Sequence, residues 1–274
     1  MRHMQETERL SPDADRLGMV TAAVLLVFAL TRVIPAPELT VRMQFPGFYF
    51  ALPLTVGTLL TVLAAGLTAA GMHWVLRQHP SLEGRSTRSH LLLPTLTALV
   101  TGTTLTVLPS VSVWWIGFGL TAGIMLLVFS GEYIVVEPGA PGYPSARAGL
   151  TAVSFALFLI LAAALRLAGT RLFVLAPAVF LASGLISLRI LHLDGADRWD
   201  YPWAVGIGLV CTQIAAGLHY WPLQPLQFAL AVTGPLYALA SFSARAAEGG
   251  PLRGALLEPG LILLLSWGAA ALLG

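Results

Sequence analysis

Lysine and asparagine are both missing from the 274-residue chain, so all 15 of its basic residues are arginines. Without lysine, no Schiff base to retinal or pyridoxal phosphate can form, and a phosphate loop built around a lysine is excluded. Without asparagine there is no acceptor for N-glycosylation. The one cysteine, Cys211, rules out an intrachain disulfide and any multi-cysteine metal centre. It lies in the apolar run AVGIGLVCTQIAAGL and is expected to pack as a small apolar side chain. Charge is scarce too. Charged residues make up 10% of the chain, against about 25% in a soluble domain. With 57% hydrophobic residues and a mean hydropathy of +0.80, the chain has too little polar surface to face water. It belongs in a lipid bilayer.

The chemistry that can be looked for by motif is equally thin. HExxH, GxSxG and glycine-rich phosphate loops do not occur, nor do paired carboxylates deep within one apolar run. This leans away from an enzyme. The net charge of +2 is spread over loops, with no basic tract for nucleic acid. Three histidines, His73, His90 and His192, map to one side of the expected topology, where two from different helices would suit a haem. No two of them are spaced along a single run, so no cofactor is implied.

What the chain does have is long apolar runs. A hydrocarbon layer about 30 Å thick needs about 20 apolar residues of helix. Runs meeting that requirement lie near 18–35, 47–76, 91–109, 111–136, 147–168, 171–191, 203–221, 225–246 and 255–273. Proline marks several ends: Pro35, Pro109, Pro138, Pro202 and Pro222. The fold expected is an all-α, polytopic bundle of about nine membrane helices. Residues 1–17 form a polar tail, and 18–274 a single transmembrane domain. The first run ends in TRVIPAPEL, where proline after Ala36 disfavours cleavage, so it reads as a retained span and not a signal peptide.

Arginine sets the orientation. With alternating spans and a cytoplasmic N-terminus, the inner side collects 11 arginines and the outer side only Arg32, Arg42, Arg166 and Arg171. The expectation is N-terminus inside, C-terminus outside. Spans 1–4 and 5–8 then enter in the same sense. Each half has two arginines around its first outer connection, a related inner loop (LEGRSTR, LDGADRW) and an uncharged, tryptophan-bearing outer turn (LPSVSVWW, HYWPLQP). This outlines a parallel repeat, 18–137 and 147–249, with 255–273 as an appended helix.

A short set of residues stands out against this background. Glu132 and Glu258 are carboxylates in otherwise apolar runs, where an ionised group costs at least about 2.5 kcal/mol unless it pairs or faces the bundle. Both sit near inner span ends, where Arg189 or Arg245 is placed to supply a countercharge, and Glu132 reads first as an interfacial clamp. Arg32, Arg42, Arg166 and Arg171, with His219 and Tyr220 at the same depth, outline an outer anion site suited to phosphate. Asp194, Asp197 and Asp200 recur at intervals of three, the only weak candidates for a metal. Threonines crowd spans 2 and 3, and Gly119 and Gly123 carry small-xxx-small spacing in span 4, so these faces are expected to pack helix on helix.

The segments GEYIVVEPGAPGY, HYWPLQPLQFAL and ALLEPG resemble an uncharacterised family of bacterial multi-pass membrane proteins. The resemblance implies a bacterial cytoplasmic membrane and assigns no residue a role. The function expected is a non-enzymatic integral membrane protein that binds lipid-like ligands or partner helices, as a subunit of a larger complex or a homo-oligomer. The alternatives are a secondary transporter or lipid flippase using Glu132 or Glu258 with the outer arginines, and a membrane enzyme acting on a lipid phosphate.

Overall fold

The computed structural model describes residues 14–34, 39–45, 48–77, 79, 82, 87–194, 199–247 and 252–273. Among them run nine helices: α1 (Ala14–Val33), α2 (Val56–Leu76), α3 (Arg88–Val107), α4 (Val111–Ile134), α5 (Tyr143–Leu167), α6 (Leu172–Asp194), α7 (Tyr201–His219), α8 (Pro225–Ala247) and α9 (Leu252–Leu272). The first eight are long and apolar enough to cross a bilayer, and α9 is apolar over Leu256–Leu272. The protein is therefore a multi-pass membrane protein of helical architecture. Helices are forced by the solvent: in hydrocarbon every backbone polar group has to be satisfied within the chain.

One stretch departs from the expected pattern. The second apolar run, read as helix over 47–76, divides, and a hairpin of β1 (Leu39–Phe45) and β2 (Phe48–Leu54) precedes α2. The strands pair antiparallel, Leu39 opposite Leu54 and Phe45 opposite Phe48. Hydropathy cannot separate the two states here, but FYF is strand-favouring, and Pro53 has no N–H to continue a helix. Thr55 then starts α2 as its N-cap, its side chain accepting from the Thr58 N–H.

The chain forms two compact units. The first comprises residues 1–87 and 94–136, the second residues 88–93 and 137–274. In the first, α1 packs on α2 and α4. Close approach is made where side chains are missing. A Cβ added to Gly71 would strike Val20, and one added to Gly102 would strike Thr61 and Phe28. The spacing at Gly119 and Gly123 does not do this, as both face open space among the described residues. The threonines bond backward within their own helices: Thr61 to the Gly57 carbonyl (2.8 Å), Thr68 to Ala64 (2.8 Å), Thr101 to Thr97 (2.7 Å) and Thr104 to Val100 (2.8 Å). Hydroxyls used this way do not line a polar path.

In the second unit α5 packs on α6 and α8, α6 on α7, and α8 on both α7 and α9. The α8–α9 seam has a close approach of the same kind. Gly234 leaves room for Ser266, whose Oγ any added Cβ would strike. Next to it Pro235 lacks the N–H that would bond the Ala231 carbonyl four residues back. The indole Nε1 of Trp267 donates to that same carbonyl at 3.1 Å.

Candidate functional site

The second unit contains an open groove of about 710 Å³ between α7, α8 and α9. Its walls are Ile214, Gly217 and Leu218 of α7, Trp221 and Leu223 of the α7–α8 turn, Gln227 and Ala231 of α8, and Trp267, Ala270 and Ala271 of α9. The space exists because Gly217, Ala231, Ala270 and Ala271 are too small to fill the seam. The two tryptophans wall it without closing it, at 62% and 49% exposure. Along α8 it extends from the helix start to Ala231, about 9 Å at 1.5 Å per residue.

The groove's one polar wall residue is satisfied already. Gln227 is buried, its Oε1 accepting from the Gln224 N–H at 2.7 Å and its Nε2 donating to the Ala270 carbonyl at 3.2 Å. Ala270 O is among the last four carbonyls of α9, which have no partner within their helix. What is left facing the groove is mostly hydrocarbon and aromatic carbon.

At this end of the unit the chain reverses twice, and one arginine joins the two turns. The helix α5 ends in a left-handed cap at Gly169 (φ 61°), with Gly169 N–H on the Arg166 carbonyl and Thr170 N–H on that of Leu165. From α5, the Arg166 guanidinium crosses to the α7–α8 turn. It donates to the carbonyls of His219 (2.8 Å), Trp221 (2.7 Å) and Leu223 (3.2 Å), and lies 5.6 Å from the Phe228 ring centre. The His219 carbonyl is an orphan at the end of α7, so Arg166 satisfies groups that lipid cannot. Arg171, just before α6, is exposed, as is Tyr220. His219 Nδ1 is buried with no hydrogen-bond partner among the described residues, and its ring meets Tyr220 edge-on at 5.2 Å. Arg166, His219 and Tyr220 are thus brought together with Arg171 at one end of the unit. Arg32 is exposed at the end of α1 in the first unit. Arg42 lies in β1 opposite Ala51, its side chain outside the described residues.

At the far end of the α8–α9 seam, Glu258 forms an ion pair with Arg245 and accepts from the Tyr237 hydroxyl at 3.0 Å. Both charges are partly exposed there. Glu132 differs. It lies two residues before the end of α4, as shallow as expected, but it is 0% exposed and engaged in a polar contact. Its surroundings are protein, not headgroups. Beside it Tyr133 packs edge-on against the ring of His79 at 4.6 Å. In the second unit Arg189 is the bulkiest fully buried side chain, 1% exposed, with Nη2 3.5 Å from His90 Nδ1.

Of the other described histidines, His73 Nδ1 lies 2.8 Å from Thr87 Oγ1, and His192 stacks on Trp199 at 4.6 Å. Asp200 begins α7 without capping it, Asp194 ends α6 with its side chain undescribed, and Asp197 lies outside the described residues. No group of three or more metal-ligating side chains forms among the described residues. Sequence reasoning missed the groove and the Arg166 tie. Only the run of small residues in AAGL and GAAAL hinted at a poorly filled seam.

Over residues 36–273 the chain matches the family model described as "Protein of unknown function (DUF5656)", and it belongs to that family. No curated protein and no solved structure matches it.

Proposed function

We propose that this member of the DUF5656 family is a lipid-binding protein of a bacterial cytoplasmic membrane, holding one apolar chain of a lipid-like ligand in the α7–α8–α9 groove. The groove is the observation that carries this reading. Its volume, about 710 Å³, lies within the range of about 300–1,000 Å³ usual for ligand pockets, and its lining offers dispersion and little else. Native mass spectrometry of protein extracted with its lipid tests the idea. One retained lipid per chain is expected for the wild type and none for Gly217→Leu. Gly217 faces open space, so the added side chain enters the groove without a clash. Equal lipid on both proteins would rule the groove out.

The arginine asymmetry supports an N-terminus in the cytoplasm, with the groove opening toward the outer leaflet. A Thr170→Cys variant should then react with an impermeant maleimide in intact cells, and protection would invert the topology. Two helix pairings support a parallel repeat, since α1 packs on α2 and α4 as α5 packs on α6 and α8, while the pairing of α6 with α7 has no comparably extensive counterpart between α2 and α3 among the described residues.

A second reading, a secondary transporter, is favoured by the complete burial of Glu132, because carboxylates inside membrane proteins mark ion and proton paths. Under it, Glu132→Gln abolishes flux into proteoliposomes while leaving a folded protein. Unchanged flux would remove the carboxylate from the mechanism.

A further inference from the structure

The lining of the groove says what kind of chain it takes but not what headgroup that chain carries. The headgroup would sit where the groove ends, level with Trp221 and Leu223. Arg166 is fixed at that level by its bonds to the carbonyls of those two residues. A guanidinium has five N–H donors, and three of them are used on carbonyls. Carbonyls are neutral, so they satisfy donors without cancelling the charge.

Residues 168–171 and 219–224, which make the two turns at this end, contain no Asp or Glu and add a second arginine, Arg171. It is exposed, three residues before Val174, whose N–H bonds its carbonyl at the start of α6. The contrast with the opposite end of the same seam is direct. There Arg245 has Glu258 as a counter-ion within the chain. Here Arg166 is held at the groove's end and Arg171 is exposed in the neighbouring α5–α6 turn, with no carboxylate among the residues of these turns.

We infer that the groove selects an anionic phospholipid, its acyl chain lying against Trp221 and Trp267 and its phosphate neutralising Arg171 and the spare donors of Arg166. This rests on the lipid-binding reading above and adds the headgroup to it. Arginine suits the task because its planar fork matches phosphate oxygens.

The test reconstitutes the full-length protein in nanodiscs holding equal phosphatidylglycerol and phosphatidylcholine, then identifies by native mass spectrometry the lipid retained after detergent release. Phosphatidylglycerol should dominate on the wild type. Arg171→Gln should lower that preference about fivefold, the worth of one arginine beside an anionic lipid, while one lipid per chain is still retained. Arg171 is exposed, so this variant leaves the fold intact, whereas Arg166 variants disturb the turn. Arg77→Gln, an equally exposed arginine in the first unit, should leave the preference unchanged. Equal retention of both lipids by the wild type, with Gly217→Leu losing both, overturns the headgroup assignment and leaves the groove reading standing. An equal loss in Arg77→Gln also overturns it, as a general surface effect. No retained lipid, or a second copy of the chain in its place, overturns both.

Discussion

In the unit built from α1, α2, α4 and most of α3, threonine hydroxyls bond carbonyls one turn back in their own helices, and neighbouring helices meet where glycine removes a side chain. That unit also has a bond from α2 to the start of α3, His73 to Thr87, but in the unit containing α5 to α9 such bonds tie several elements: Arg166 to the α7–α8 turn, Gln227 to α9, Trp267 to α8 and Arg245 to Glu258. The first mode lets shape decide which helices meet. The second specifies partners by name, and it lets a seam stay partly unfilled. The groove lies where the second mode operates, because Gln227 and Trp267 hold α8 and α9 together around a gap that packing alone would close.

The sharpest way to break this comparison is at what the units share among the described residues, a fully buried charge, Glu132 in one and Arg189 in the other. Glu132→Leu and Arg189→Leu should each cost about 3–5 kcal/mol, since each leaves a buried polar contact one-sided. The loss would be read as a shift in detergent-titrated unfolding, and a neutral outcome at either site would mean that its contact is dispensable. Next comes Arg166→Leu, at about 2–3 kcal/mol, because the part-buried carbonyls of His219 and Leu223 lose a charged donor, while that of Trp221 keeps the Leu223 N–H.

Gly234→Ala should cost about 1–3 kcal/mol by forcing Ser266 away, and adding Ser266→Gly should restore most of it. If the second change restores nothing, the seam is not limited by that contact. The smallest effects sharpen the contrast between the modes. Trp267→Phe should cost about 0.6 kcal/mol, a typical hydrogen bond between membrane helices. Thr101→Val should cost less, because its hydroxyl serves only a carbonyl that its own helix already bonds. A reversed order between these two would undo the distinction.

Much of the architecture could be read from residues alone, because lipid imposes one rule on every span. Proline and hydropathy located the helices closely, and the positions of Glu258 and Arg245 at facing ends of adjacent spans anticipated a countercharge. The hairpin escapes because FYFALPL is as apolar as a helix and its partner strand, LTVRMQF, lies in the connection between two apolar runs. Glu132 and Arg189 could be located but not their burial, since all-apolar helices carry too little periodicity to show which face turns inward. The spacing of Gly119 and Gly123 pointed to the wrong contact for the same reason. The site is a property of three helices at once, and no single stretch contains it. Arg166 was marked for its charge, while its bonds to carbonyls more than 50 residues away had no local signal.

The pairing of Pro235 with Trp267 bears on the order in which the chain is made. When α8 has left the ribosome and entered the membrane, the carbonyl of Ala231 lacks the N–H that a helix supplies four residues on. The donor follows 36 residues later, on α9. Until then, α8 has an unmet acceptor in a solvent that cannot supply one. The late helix completes the backbone of the earlier one.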